Sequence, residues 1–220
     1  MEMRTRAFVR SVYGWMFGGL LLTAFASLWV VMSPAMQALV LGNSMVRMGL
    51  MIAEVGVVLF LSFRIRHMSA GTAAGAFLVY SFLNGLTLSV IFWAYSGGSI
   101  VQAFVASAGM FAAMSIYGTV TKRDLTSWGS FFFMGLIGIM IASVVNIFLK
   151  SNALTFAVSI IGVFVFVGLT AYDTQKLRTM AMVDGPLREN LGVMGALALY
   201  LDFINIFLFM LQIFGGGRKR

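Results

Sequence analysis

Three acidic side chains, Glu54, Asp173 and Asp202, stand inside long apolar runs, out of only seven acids in the chain. At mid-membrane depth each would cost on the order of 2.5–3.5 kcal/mol, so an acid kept there is a functional hypothesis by default. No basic residue falls at matching depth; Arg64 and Arg66 come nearest to Glu54, roughly 15 Å away along a helix axis. The chemistry open to such carboxyls is narrow. Two of them in contact in a low dielectric cannot both ionise cheaply, so the pair shares one proton and titrates as a unit. Holding a proton, such a pair ties two helices together; losing it, the pair repels. The same oxygens suit a hard cation such as Ca²⁺.

The elements that must position them are membrane helices. Of 220 residues, 60% are hydrophobic and 10% charged, with a mean hydropathy of +0.97, where a soluble domain carries about a quarter charged residues. Runs of about 20 apolar residues predict an all-α, seven-transmembrane-helix bundle in a single domain, 1–220. Its spans fall at about 13–33, 46–66, 71–94, 100–121, 128–149, 154–182 and 189–214. Tyr95-Ser-Gly-Gly-Ser99 reads as the turn between the third and fourth spans. The runs lack the period-two alternation of a membrane barrel. The net charge of +8 gathers in loops, which predicts lipid rather than nucleic acid as partner.

With the N-terminus on side one, that side collects Arg4, Arg6, Arg10, Arg64, Arg66, Lys122, Arg123, Lys176, Arg178 and Arg188. The other collects only Arg47 and Lys150. The bias predicts a cytoplasmic N-terminus. Seven crossings put the basic tail Arg218–Arg220 outside; a re-entrant last segment would keep it inside. Zero cysteines exclude disulfides and thiolate chemistry, and the single His67, beside Arg64 and Arg66, reads as a solvated loop residue. Gly14/Gly18 and Gly71/Gly75 have a small-xxx-small spacing and read as helix-packing positions.

A hairpin turning near residue 185 sets Asp173 opposite roughly 197, about 4 Å of helix from Asp202, which tilt absorbs. The two aspartates can therefore face one another across antiparallel helices. Gly192, Gly195, Leu199, Asn205 and Gln212 share the Asp202 face, a small and polar stripe turned inward. Thr170 and Thr174 lie within a turn of Asp173 as hydrogen-bond donors. A purely structural interhelical hydrogen bond is the plainer reading of the same pair, and Tyr172 and Tyr200 read as packing aromatics as readily as hydroxyl donors.

Ala171-Tyr-Asp-Thr-Gln-Lys176 followed by Leu199-Tyr-Leu-Asp-Phe-Ile-Asn205 resembles the Bax inhibitor-1 family of membrane proteins, as do Thr121-Lys-Arg-Asp-Leu125 and Gly85-Leu-Thr-Leu-Ser89. The short termini look like those of a bacterial inner-membrane member. The resemblance implies a seven-helix fold with the last helix central. It also implies a pH-sensitive Ca²⁺ leak gated by Asp173 and Asp202, with Glu54 on the ion path. It further implies an arginine at the cytoplasmic end of the second helix that holds the closed pair, where this chain offers Arg64 and Arg66.

The leading expectation is thus a non-enzymatic cation leak without a resident cofactor, in which Ca²⁺ and H⁺ meet at Asp173 and Asp202. A Ca²⁺/H⁺ exchanger is a close variant. An intramembrane aspartyl protease also carries a Tyr-Asp, matched here by Tyr172-Asp173. It needs Gly-x-Gly-Asp on the next helix, where this chain has Leu199-Tyr-Leu-Asp202. A non-conducting regulator that binds other membrane proteins, such as a membrane protease, is the alternative of a different class.

Overall fold

A computed structural model describes residues 2–185 and 187–215, the side chains of Glu2 and Arg66 excepted. The tail Arg218–Arg220 lies outside the described residues. The α-helices are α1 (Glu2–Met32), α2 (Pro34–Val40), α3 (Ser44–Arg64), α4 (Ala70–Leu88), α5 (Ile91–Ala94), α6 (Gly97–Val120), α7 (Thr126–Leu149), α8 (Asn152–Ala181) and α9 (Leu187–Phe214). Among the described residues, seven spans are long and apolar enough to cross a bilayer, with α4 and α5 together forming the third. The chain is an all-α polytopic membrane protein. Within their most apolar stretch, α3 and α7 are only 6% buried, whereas α9 is 56% buried.

Short polar side chains set the helix starts by accepting from amides that have no partner inside the helix. Ser33 caps α2 ahead of Pro34, Asn43 caps α3, Ser69 caps α4 and Ser96 caps α6. The cap at Ser96 places Gly97 and Gly98 in the first turn of α6 rather than in the expected Ser-Gly-Gly-Ser turn. A serine that satisfies the Ser99 amide outweighs the glycines' freedom. Lys150, at φ 50, ends α7 in the left-handed region. At the turn after α8, Gly185 has φ +81, a conformation glycine takes without steric cost.

The helices gather into two compact units. The first holds the chain up to Ala94 with Leu177–Tyr200. In its core Ala26 and Val30 of α1 meet Val40 and Leu86. Gly85 of α4 lies so close to the Thr23 backbone and the Ala26 methyl that a Cβ there would collide with both, and Ser27 Oγ donates to Gly85 O at 2.6 Å. Asn190, in the first turn of α9, donates to Ile65 O at 2.9 Å and Met68 O at 2.8 Å, pinning the α3–α4 turn. The second unit holds Tyr95–Lys176 with Leu201 onward. There Ile139 of α7 packs on Val158 and Val165 of α8, and Phe203 of α9 meets Phe104 and Phe111 edge-on.

The packing glycines are not the ones the spacing singled out. A Cβ on Gly14, Gly18 or Gly75 would meet nothing within 4 Å, and one on Gly71 only Ser69 Oγ at 3.9 Å. Close approach falls instead on other glycines, Gly19, Gly85, Gly118, Gly129, Gly162, Gly168 and Gly195 among them. Small-xxx-small spacing marks a face of a helix, but only the neighbours decide which face is covered.

Candidate functional site

In the second unit, glycines let α8 sit deep among its neighbours. The Gly118 Cα faces the Ala171 backbone, the Tyr172 ring covers Gly129, and the Phe132 ring covers Gly168. Toward the other end, the Phe209 ring covers Gly162 and Ser159 Oγ donates to Gln212 Oε1 at 2.7 Å. This packing holds α8 against the second half of α9 and brings Asp173 and Asp202 within range of each other's charge. Asp202 is 3% exposed, and its Oδ2 has no hydrogen-bond partner. Thr170, itself buried, turns its hydroxyl to the Asp202 carboxyl and also reaches Phe166 O at 2.8 Å. An orphaned carboxyl oxygen at full burial is costly unless a proton or a cation visits it.

Thr174 is buried beside Asp173, and the Lys176 charge acts on Asp173 while its ammonium lies 5.7 Å over the Tyr172 ring. Asn205 turns back onto Leu201 O at 2.8 Å rather than toward the aspartates. Gln175, one turn from Tyr172, clamps the α6–α7 loop. Its Oε1 accepts from the Leu125 amide at 2.9 Å and its Nε2 donates to Arg123 O at 2.8 Å.

Glu54 belongs to the first unit and lies half-buried on α3. Both of its oxygens are occupied: Thr87 Oγ1 donates to Oε1 and Asn84 Nδ2 to Oε2 at 3.4 Å. Asn84 Oδ1 in turn accepts from Tyr200 Oη at 3.0 Å, which lies 2.6 Å from Thr23 Oγ1. Tyr200 is fully buried, with Phe77 and Tyr80 packed edge-on against its ring. This chain of neutral polar groups, in place of a basic partner, is what receives Glu54. Sequence reasoning passed over Asn84, Thr87 and Thr23. The available signal was the polar pair Asn84 and Thr87, three residues apart and so on one face of an uncharged helix.

Arg64 lies exposed in the last turn of α3, and the Arg66 side chain lies outside the described residues. His67 is exposed in the turn that follows. Among the described residues there is no group of three or more His, Cys, Asp or Glu that could hold a metal ion. Ca²⁺ takes six to eight oxygen ligands, more than two aspartates and a threonine hydroxyl supply.

Comparison with known proteins places the chain. The family described as "Inhibitor of apoptosis-promoting Bax1" matches residues 5–219, a stretch that takes in both compact units and all three membrane acids. The chain belongs to this family. Among its relatives, the Inner membrane protein YbhL of Escherichia coli K12 is 52% identical over 217 residues, covering 97% of this chain and 93% of that one. An uncharacterized protein of Deinococcus radiodurans is 43% identical over 212 residues, covering 96% and 90%. Uncharacterized protein RP147 of Rickettsia prowazekii is 42% identical over 215 residues, covering 97% and 91%.

Proposed function

We propose that this Bax1-inhibitor family member is a pH-regulated Ca²⁺ leak of the bacterial inner membrane, with its N-terminus in the cytoplasm. The observation that carries the reading is Asp202, enclosed in α9 with Asp173 beside it and one oxygen unpartnered. With one proton shared, the pair holds α8 to α9; without it, repulsion between two poorly solvated carboxylates favours their separation. Thr170 supplies a third oxygen, and Ca²⁺ is cargo passed over these oxygens rather than a resident cofactor. The reading needs no catalytic residue. The basic side of the loops supports the orientation, and the printed name of the Escherichia coli relative supports the membrane.

The test is Ca²⁺ entry into proteoliposomes from pH 5 to 8, for the wild type and for Asp173→Asn/Asp202→Asn. Wild-type flux varies with pH, and the double variant's flux does not. Absence of wild-type flux at every pH refutes the leak. The family's printed description then favours the second reading, a non-conducting regulator that restrains another membrane protein.

A further inference from the structure

We propose that Glu54, Asn84, Tyr200 and Thr23 form a second, reversible proton-binding site in which the hydrogen-bond chain reverses direction when Glu54 gains a proton. The evidence is the arrangement of donors and acceptors within the first unit. With Glu54 ionised, every arrow runs toward it: Thr23 donates to Tyr200, Tyr200 Oη to Asn84 Oδ1 at 3.0 Å, and Asn84 Nδ2 to Glu54 Oε2 at 3.4 Å. Asn84 is a carboxamide, donor on one side and acceptor on the other. A half-turn of that group presents Oδ1 to a protonated Glu54 and Nδ2 to Tyr200 Oη. Tyr200 then donates to Thr23 across the same 2.6 Å.

Thr23 is built to end either chain. Its single hydroxyl hydrogen has three acceptors in reach: Tyr200 Oη, Ser81 O at 2.8 Å and Gly19 O at 2.9 Å. In the reversed chain it gives that hydrogen to a backbone carbonyl, and no donor in the row is orphaned. Thr23, Ser81, Asn84 and Tyr200 are all buried, so water does not substitute for a missing partner. The titratable groups that face Glu54 are the phenols of Tyr80 and Tyr200. Its other close partners are the neutral Asn84 and Thr87. The proton is bound and released at a Glu54 carboxyl oxygen, and the amide group and hydroxyls only reorient.

Infrared titration of the full chain in proteoliposomes from pH 4 to 10 tests this without any flux measurement, so it stands or falls apart from the leak. The Glu54 carbonyl stretch is the band lost in Glu54→Gln. Tyr200→Phe keeps the ring packing and removes the hydroxyl. Because the Tyr200 bond polarises the Asn84 carboxamide that donates to the ionised Glu54, its loss costs the carboxylate more, and the Glu54 midpoint rises by about one pH unit. Thr23→Val removes only the outermost arrow of the forward chain, keeping the Tyr200–Asn84 and Asn84–Glu54 bonds, but orphans the Tyr200 hydrogen in the reversed chain, so the midpoint falls. Opposite shifts are the expected result. Shifts of the same sign, no shift in either variant, or no titrating band that belongs to Glu54 overturn the proposal. Should Tyr200→Phe fail to reach the membrane, the Thr23→Val shift decides alone.

Discussion

Gln175 ties α8 to the charged loop between α6 and α7, and removing it has a calculable effect. Gln175→Ala deletes two hydrogen bonds, to the Leu125 amide at 2.9 Å and the Arg123 carbonyl at 2.8 Å. At about 1 kcal/mol net for each, the closed loop loses about 2 kcal/mol. Since 1.4 kcal/mol is tenfold, the open population rises about 30-fold. The Arg123 carbonyl bond is exposed, so water recovers part of its loss; the Leu125 bond is part-buried and carries most of the effect. The loop's own turn survives, because Asp124 Oδ1 still accepts from the Thr126 amide at 2.9 Å and the Thr126 hydroxyl at 2.6 Å. The assay is amide hydrogen exchange, read by mass spectrometry on the peptide covering 121–126. Gln175→Glu keeps an acceptor for Leu125 and sets a carboxylate against the Arg123 carbonyl, so its exchange falls between wild type and alanine. A rise of less than about threefold in Gln175→Ala would refute the clamp, since that is under 1 kcal/mol.

Two further outcomes follow from neighbouring residues. Gly118→Leu drives a side chain into the Ala171 backbone. It destabilises by about 1–3 kcal/mol, the usual cost of overpacking, read as a lowered thermal midpoint in detergent; Gly14→Leu, with open space at its Cβ, does not. Hydrogen bonds from the Thr126 side chain and backbone hold Asp124 below the ordinary carboxylate range. A depressed native value means its hold on Thr126 is fully present above the ordinary aspartate range and is lost as pH falls through the lowered value. Chemical shifts of Thr126 therefore titrate below that range in the wild type and show no such step in Asp124→Asn. A wild-type step at the ordinary value refutes this contact.

Much of the architecture was legible because a bilayer imposes lengths that a sequence displays directly. Uncharged runs of about 20 residues announce helices, and α8 and α9 are antiparallel neighbours with a short turn between them, so Asp173 and Asp202 could be matched by counting residues. Counting works where spacing alone sets the geometry. It did not find the groups that receive Glu54, because a search for a countercharge overlooks a carboxamide and three hydroxyls drawn from α1, α4 and α9. Nor did it find Gln175, whose two acceptor and donor contacts lie about fifty residues away in the chain.

By itself, the sequence determined that the chain is a set of membrane helices, which acids they carry against the cost of burial, and where the helices begin and end to within a few residues, except that α1 starts at Glu2 rather than near 13 because its basic first turns are helical too. Those follow from hydrophobicity and helix rise, which are local properties. Only the tertiary structure decided which glycines are crossed by a neighbour, which oxygen of Asp202 goes without a partner, and which neutral groups receive Glu54. These depend on the rotation of each helix about its axis. That rotation is set by the fit of side chains on one helix into the surface of the next, and no single helix contains that information.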